Sequence, residues 1–260
     1  KLNFFESKPL FGKNVIVTRS RTQSSSLVSK ISDLGGNPIE VPTIKIEKIE
    51  NNIALENEIK NIKDYTYLIL TSKNAVDIFF DKLDEMDLDS RVLANLKVCA
   101  IGSATAKEIK NRGIKADVVP EKFVAEYLFE ELKDVLKDSD KVLIPRSKNA
   151  RDFLVDKISE ICEVKEVHIY ETVLDDSKKD EVLDILNSGE ADYITFASSS
   201  TVTNFVDIIG KENIDKLNEL KVISIGPITT QTAKSLNINV YNEAEVSTID
   251  GMIDSIMNDK

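Results

Sequence analysis

The sequence has few of the side chains on which most enzyme chemistry depends. Its 260 residues include no tryptophan, one histidine and two cysteines. A zinc site or a Ser-His-Asp triad needs more ligands or partners than His168, Cys99 and Cys162 supply, so we predict neither a metal site nor a hydrolase. Both cysteines lie in apolar segments without a Cys-x-x-Cys pair, which is typical of buried thiols in a reducing cytoplasm.

Long apolar runs and an excess of basic charge are also absent. No segment of the sequence approaches the ~18–20 apolar residues of a membrane span, and the first residues contain no signal-peptide core. The chain carries 45 acidic against 34 basic residues, a formal net charge of −11. Nucleic-acid binding needs concentrated Lys and Arg, and an anionic membrane repels an acidic surface. We therefore expect a cytoplasmic protein with neither nucleic acid nor membrane as a partner.

Glycine is scarce, with nine in the chain, and the glycines form no familiar nucleotide-binding motif. There is no Gly-x-Gly-x-x-Gly after the first apolar run and no Gly-x-x-x-x-Gly-Lys-[Ser/Thr] anywhere in the sequence. Rossmann and P-loop enzymes use these glycines to bring backbone amides to phosphate groups. The sequence therefore disfavours both classes.

Short apolar runs alternate with helical periodicity along almost the whole chain. The runs predict strands at residues 13–18, 67–71, 97–101, 118–120, 141–145, 164–172, 193–197, 221–225 and 238–241. The intervening periodicity predicts helices at residues 22–34, 73–83, 103–112, 124–135 and 149–161, and at about 178–187 and 248–258. It also predicts a helix through Val202 and Ile209 after the strand at 193–197, and another that follows Gly226-Pro227. Such regular alternation predicts an α/β fold whose parallel sheets are covered by helices on both faces.

Three segments of the sequence occur twice, in the same order. The pairs are residues 15–21 with 142–148, 67–72 with 193–198, and 96–105 with 220–229, at separations of 127, 126 and 124 residues. Chance explains one such pair better than three. The repeat predicts two similar α/β domains, and a single domain of duplicated halves is the alternative.

Serine, threonine and glycine are concentrated where predicted strands end and helices begin. In open parallel sheets, ligands bind beyond these strand ends, and a helix N-terminus binds carboxylates or phosphates through its unpaired N–H groups. One reading of Ser72, Ser103 and Ser198 is that they are only helix caps. Six such junctions in two domains favour an anionic ligand that is bound mostly by backbone amides.

The ordered segments resemble those of a known family. Residues 17–19 (VTR), 67–76 (YLILTSKNAV), 100–113 (AIGSATAKEIKNRG), 143–154 (LIPRSKNARDFL), 167–172 (VHIYET), 196–205 (FASSSTVTNF) and 224–237 (SIGPITTQTAKSLN) together resemble uroporphyrinogen-III synthase. The likeness covers residues 13–258. Residues 3–13 resemble the linker to a uroporphyrinogen methyltransferase in fused bacterial proteins, which would account for the missing initiator Met; an ordinary N-terminal extension is the alternative.

The resemblance implies a lyase that needs no cofactor. Such an enzyme cyclises hydroxymethylbilane, a linear tetrapyrrole, to uroporphyrinogen III with loss of water and inversion of ring D, on the way to haem, sirohaem or cobalamin. It also implies two α/β domains with a ligand cleft between them, joined by a two-stranded β linker. We place domain one at residues 1–37 plus 173–260, domain two at 46–163 and the linkers at 38–45 and 164–172. We expect a monomer.

The resemblance also implies which residues form the site. Tyr170 matches the family tyrosine that assists departure of the substrate hydroxyl, because a phenol carries its proton at neutral pH and can donate it; a hinge tyrosine packed by its ring is the alternative. The residues expected to bind substrate carboxylates, with neighbouring amides, are Arg19, Ser72, Thr105, Arg146, Ser198, Ser199, Gly226 and Thr229. Two roles are open for Arg151, which lies in a predicted helix: it pairs with a substrate charge, or it lies in solvent on the surface.

The sequence departs from the family pattern at two junctions. Ser199 and Thr201 stand where the family often has proline and glycine, and Lys73 replaces a common proline. Thr201 lacks the freedom of glycine to adopt positive φ, so we expect a local difference there. A two-domain binding or sensor protein for a polyanionic small molecule is the alternative function, and Tyr170 argues against it because a binder has no need of a phenol at that position.

Overall fold

A computed structural model of the chain describes residues 7–18 and 21–258, with the backbone alone for residues 21–25. The ten strands among these residues are β1 (Asn14–Val17), β2 (Asn37–Glu40), β3 (Ile44–Lys48), β4 (Tyr67–Leu70), β5 (Lys97–Ala100), β6 (Lys141–Ser147), β7 (Glu163–Leu174), β8 (Tyr193–Phe196), β9 (Lys221–Ser224) and β10 (Val240–Glu243). The α-helices there are α1 (Arg21–Asp33), α2 (Ile53–Lys60), α3 (Lys73–Glu85), α4 (Ser103–Asn111), α5 (Ala125–Leu132), α6 (Phe153–Ser159), α7 (Lys179–Ser188), α8 (Ser199–Ile209), α9 (Ile214–Leu217), α10 (Pro227–Ser235) and α11 (Ile249–Met257). No helix in this described part of the chain is long and apolar enough to span a bilayer.

The chain forms two compact units, each built on one five-stranded sheet. The first unit comprises Lys1–Lys45 and Val173–Lys260, and the second comprises Ile46–Thr172. The strand order is β10-β9-β8-β1-β2 in the first sheet and β3-β7-β6-β4-β5 in the second. All four neighbouring pairs of the first sheet are parallel, as are β7–β6, β6–β4 and β4–β5 of the second. The predicted α/β class with parallel sheets is therefore confirmed.

Alternate residues of the central strands face opposite sides of each sheet. In β4, Leu68 and Leu70 belong to one buried cluster and Ile69 to another. In β1, Ile16 belongs to one cluster, whereas Val15 and Val17 belong to a second. Each sheet therefore has an apolar core on both faces, which explains why its strands read as continuous apolar runs.

β3 runs against β7 at the edge of the second sheet. The amide of Ile49 donates to the Ile169 carbonyl oxygen, and the amide of Asp175 donates to that of Thr43, both at 3.0 Å. Residue numbers therefore rise along β3 where they fall along β7, which makes the two strands antiparallel. By their contacts, residues 38–45 lie in the first unit and 164–172 in the second; the exact domain and linker boundaries remain a prediction.

The structure corrects four local predictions. Residues 118–120 form no strand, because Val118 makes a single bridge to Cys99. The helix predicted at 149–161 begins only at Phe153, so Arg151 precedes it. The linker strand predicted at 38–45 divides into β2 and β3 around Pro42, which has no N–H to donate. Helix α2 is absent from the prediction, although Leu55 and Ile59 of that helix have the i, i+4 spacing of a buried face.

The sequence repeat is also a repeat of spatial order. The repeated segments supply β1, β8 and β9 of the first sheet and β6, β4 and β5 of the second. In each sheet these three strands are adjacent in that order. Two separate sheets with matching order confirm two similar domains rather than a single domain of duplicated halves.

Candidate functional site

Tyr170 is aimed by a β-bulge in β7. Arg146 of β6 lies opposite His168, and the next residue, Ser147, lies opposite Tyr170, so Ile169 is an extra residue on β7. In a regular strand, neighbouring side chains point to opposite faces. Here Ile169 and Tyr170 are consecutive and both buried in the same cluster. The bulge therefore brings Tyr170, 6% exposed, to a face that regular pairing would deny it.

The Tyr170 phenol contacts the start of the neighbouring helix α3. Its oxygen lies 2.9 Å from Oγ of Ser72. Ser72 follows β4 and caps α3, and its Oγ accepts a hydrogen bond from the Ala75 amide at 3.0 Å. The cap reading of Ser72 is therefore confirmed, and the same hydroxyl also contacts the phenol; its binding of a substrate carboxylate stays a prediction.

A cavity of about 230 Å³ in the second unit opens beside this pair. Its polar lining includes Thr71, Ser72, Arg146, Ser147 and Tyr170, and its apolar lining includes Ile101, Ile144 and Leu154. The cavity lies at the carboxyl ends of β4, β5 and β6. Since β5 and β6 flank β4 on either side, this is the switch point at which α/β sheets bind ligands.

Arg146 lines this cavity, but its charge is already paired within the protein. Its Nε donates to the carboxylate of Glu166, its Nη2 donates to Asp152 Oδ1 at 2.6 Å, and its Nη1 donates to the carbonyl oxygen of Arg151 at 2.6 Å. The side chain is 3% exposed. Arg151 itself is largely exposed and pairs with Glu126 at 2.9 Å.

Thr105 and Gly102 lie at the start of α4, on the same edge of the second sheet. Thr105 is buried, and Gly102 precedes the helix without a side-chain cap. A Cβ on Gly102 would lie 2.9 Å from Cβ of Phe123. The glycine therefore allows the chain near Phe123 to approach the helix terminus closely.

In the first unit, Ser198 and Thr201 form a capping box at the start of α8. Ser198 Oγ accepts from the Thr201 amide at 3.3 Å, and Thr201 Oγ1 accepts from the Ser198 amide at 3.2 Å. Thr201 is thus a helical residue whose side chain closes the box, a bond that glycine cannot make. Ser199 Oγ donates to the Ile228 carbonyl oxygen at 3.3 Å, which links α8 to α10.

Gly226 and Thr229 lie at the start of α10, as their repeat partners lie at the start of α4. Gly226 precedes α10 without a side-chain cap, and Thr229 is buried. A Cβ on Gly226 would lie 2.5 Å from Oγ of Ser247. Together with Ser198 and Ser199, these residues place hydroxyls and backbone amides at the carboxyl edge of the first sheet.

The structure therefore groups the predicted site residues unit by unit. Ser72, Arg146 and Tyr170 line one cavity in the second unit, and Thr105 lies on the neighbouring helix. Arg19 lies outside the described residues. Sequence reasoning placed Ser147 at a strand-to-helix junction but not among the candidate site residues. It also missed the apolar lining, which cannot be told from core by sequence.

Neither cysteine has the surroundings of a reactive thiol. Both are free and buried, and burial raises the pKa of Cys99 to about 12 and also raises that of Cys162. In the described part of the chain, no group of three or more His, Cys, Asp and Glu residues is arranged to hold a metal ion.

The sequence matches one protein family over most of its length. A family model described as uroporphyrinogen-III synthase HemD matches residues 25–254. The porphyrin biosynthesis protein HemD of Ruminiclostridium josui is 38% identical over 258 residues, which are 99% of this chain and 50% of that protein. The uroporphyrinogen-III synthase of Synechococcus elongatus is 30% identical over 252 residues, which are 95% of each chain. The chain thus spans about half the length of the first relative and nearly all of the second.

A solved structure has the same fold. A mutant uroporphyrinogen III synthase from the extremely thermophilic bacterium Thermus thermophilus matches with a TM-score of 0.57 at 16% identity, covering 94% of this chain and 97% of that one. A uroporphyrinogen-III C-methyltransferase of Bacillus subtilis is 31% identical over 111 residues, only 43% of this chain. That partial match does not support the predicted fusion to a methyltransferase.

Proposed function

Since this chain belongs to the uroporphyrinogen-III synthase family of tetrapyrrole-biosynthesis lyases, we propose that it cyclises hydroxymethylbilane to uroporphyrinogen III with inversion of ring D. The observation that carries the proposal is the Tyr170 phenol, held 2.9 Å from Ser72 Oγ beside a cavity at the switch point of the second sheet. A purely structural tyrosine has no need of such a position.

Tyr170 is the proposed proton donor. As the C–O bond of the terminal hydroxymethyl group breaks, the phenol gives its proton to the departing hydroxide, which leaves as water. The pyrrole nitrogen stabilises the resulting azafulvene cation. Ring D attacks through its substituted carbon, and the spiro intermediate fragments and recloses in the inverted orientation. The proton lost when the product regains its aromatic pyrrole restores the phenol, so the net change is loss of one water.

Ser72 keeps the phenol in place during this step. Its Oγ is fixed by the Ala75 amide of α3, so the hydroxyl that meets the phenol belongs to a rigid helix terminus. Much of the reactivity resides in the substrate, which also closes without inversion in water. The main task of the protein is therefore to hold a flexible chain in the conformation that favours inversion.

The carboxylates of the substrate bind, in this proposal, at the starts of α4 and α10. Both helices begin after a glycine that offers no side-chain cap, so their first amides are available to an anion, and the helix dipole favours one. Thr105, Thr229, Ser198 and Ser199 add hydroxyls nearby. These sites allow a chain of net charge −11 to bind a substrate with eight carboxylates.

The apolar lining suits the rings that carry those carboxylates. Ile101, Ile144 and Leu154 form one side of the cavity in the second unit, and burying a pyrrole face against them is favourable. The position of the substrate in a cleft between the domains, the monomeric state and the cytoplasmic location stay predictions. The sequence prediction of direct carboxylate binding by Arg19 and Arg146 also stays untested.

The test is a product analysis with freshly generated hydroxymethylbilane. The porphyrinogens formed are oxidised and their type I and type III isomers are separated. We expect type III to dominate with the wild-type chain and type I to appear alone in the buffer control. Accumulation of type I alone, at the uncatalysed rate, would overturn the proposed function.

A further inference from the structure

All three guanidinium nitrogens of Arg146 donate hydrogen bonds within the protein, which is unusual for an arginine that binds a substrate. Its fork of N–H groups meets the Glu166 and Asp152 carboxylates and the Arg151 carbonyl oxygen. A planar guanidinium suits such simultaneous bonding. With two carboxylates already paired to one buried cation, little positive charge is left for a third anion.

The partners of Arg146 lie on β7 before the bulge and in the loop after β6. Glu166 precedes the bulge on β7 and also binds His168 Nε2 at 2.7 Å, whereas residues 151 and 152 belong to the loop after β6. The same loop holds β7 beyond the bulge, because Asn149 Oδ1 accepts from the Thr172 amide at 2.8 Å. Arg146 therefore connects the strand segment before the bulge to the loop that fixes the segment after it.

The bulge decides which face Tyr170 occupies. Glu166 and His168 are paired in register with Ile144 and Arg146, so their side chains share one face of the sheet. Regular alternation would carry residue 170 to that same face. The extra residue turns Tyr170 to the other face, where its phenol reaches Ser72.

We propose that Arg146 is a positioning residue, which holds the β7 bulge through Glu166 and residues 151–152 and so keeps the Tyr170 phenol on Ser72. The catalytic consequence rests on the proposed function of Tyr170, whereas the structural consequence does not. Without the guanidinium of Arg146, β7 relaxes toward regular pairing and the phenol moves away from Ser72.

Kinetics of Arg146→Met and Arg146→Lys separate this role from substrate binding. A misplaced reacting group costs about 10²-fold in rate, so we expect kcat to fall by about that factor with KM changed little. Lysine lacks the planar fork, so Arg146→Lys should resemble Arg146→Met. A rise in KM at unchanged kcat, restored by lysine, would overturn the proposal. Arg112→Met, which removes another ion-paired arginine of the same unit, is the matched control and should keep wild-type kinetics.

A spectroscopic test follows Tyr170 directly. The chain has six tyrosines, so ¹³C labelling at Cζ gives six signals, and the one missing from Tyr170→Phe is that of Tyr170. We expect this signal to move in Arg146→Met and to stay in Arg112→Met. An unmoved signal overturns the positioning role. If the wild-type chain makes only the type I isomer, the proposed function fails. The NMR test still shows whether Arg146 positions the Tyr170 phenol.

Variants at Glu166 keep the test decisive if Arg146→Met does not fold. Glu166→Ala leaves Arg146 in place but cuts its anchor on β7, and Glu166 does not line the cavity. The positioning role predicts the same fall in kcat and the same moved signal. If Arg146 instead binds substrate, its release from Glu166 lowers KM, and that result would refute the proposal.

Discussion

Tyr170 combines a buried ring with a phenol at the edge of a cavity. The ring packs in the same cluster as Ile169, and the oxygen meets Ser72. These two contacts have separate consequences, since the ring contributes to stability and the oxygen to the proposed chemistry. The hinge reading and the catalytic reading of this tyrosine are therefore compatible.

Removing only the oxygen separates the two contributions. Tyr170→Phe keeps the ring and loses one hydrogen bond, which costs about 1 kcal/mol of unfolding free energy. Turnover should fall about 10²-fold, because proton donation is lost. Steady-state rates and thermal melting measure the two effects. Tyr65→Phe, which also removes a buried phenol with a hydrogen bond, to Glu58, should keep full activity; full activity in Tyr170→Phe would remove the acid role.

Glu85 gives a prediction about pH. Hydrogen bonds donated by Lys48 and, as the second largest cause, by Lys82 lower the pKa of the Glu85 carboxyl from 4.5 to about 2. A depressed carboxyl pKa stabilises the fold above the unfolded pKa, and this stabilisation is lost as the pH falls toward the folded pKa. Chemical denaturation between pH 5 and about 2 should therefore show a shallower acid loss for Glu85→Gln than for the wild type.

Asp89 is the matched control for that experiment. Arg91 lowers the pKa of Asp89 to about 2 as well, but the two residues are neighbours in sequence and both are exposed. A local pair of this kind persists partly in the unfolded chain. We expect Asp89→Asn to change the acid slope less than Glu85→Gln. An equal effect would contradict the expectation that the ion pairs of Glu85 with Lys48 and Lys82 need the folded chain.

At the scale of elements, the helix starts differ in a way that bears on the site. Ser72 and Ser198 cap α3 and α8 with their side chains, whereas α4 and α10 begin after uncapped glycines. The first amides of α3 and α8 meet side-chain caps, whereas those of α4 and α10 have none. In the proposed mode of binding, recognition of the substrate carboxylates is divided between α4 and α10.

Cap removal should therefore lower stability more than activity. Ser198→Ala removes the capping box of α8 and should cost about 1 kcal/mol, with activity retained, since the backbone amides of α10 remain. Ser72→Ala should cost a similar free energy and slow turnover further, because it also frees the Tyr170 phenol. Denaturant midpoints and rates of both variants measure this difference. Complete loss of activity in a folded Ser198→Ala protein would show that a single hydroxyl carries recognition.

At the scale of the whole molecule, the chain order of the repeat is permuted between the units. The first unit pairs β1, from the beginning of the chain, with β8, from its later part, whereas the equivalent strands of the second unit, β6 and β4, lie within one continuous segment. Closing the first sheet therefore needs contacts far apart in sequence. The second sheet needs only contacts within residues 44–174.

The two cores should respond separately to large-to-small substitution. Phe79 is fully buried in the second unit and Phe205 in the first, and replacing a buried phenylalanine by alanine costs ~3–5 kcal/mol. If the predicted domains are independent, calorimetry resolves two transitions, and each variant lowers one of them. A single transition lowered equally by both would contradict independent domains.

Much of the fold was accessible from the sequence because its signals are local. Apolar runs such as residues 67–71 and 193–197 and the periodicity of α3 and α8 depend on neighbouring residues, and the repeat indicates two similar domains. Residues 118–120 were misassigned because their pairing stops at the single bridge of Val118 to Cys99, and residues 149–152 because they form a loop that bonds to Arg146 and Thr172 instead of a helix turn. The Ser198–Thr201 box could have been found from its spacing.

By itself the sequence determined the α/β class, the repeat and the family, because these depend on patterning and on the order of segments along the chain. Only the tertiary structure decided that Tyr170 contacts Ser72 and that Arg146 pairs with Glu166 and residues 151–152. It also decided that β7 has a bulge just before Tyr170. The physical reason is that these features depend on pairing register between β6 and β7, and a shift of one residue there reverses the face of every side chain that follows.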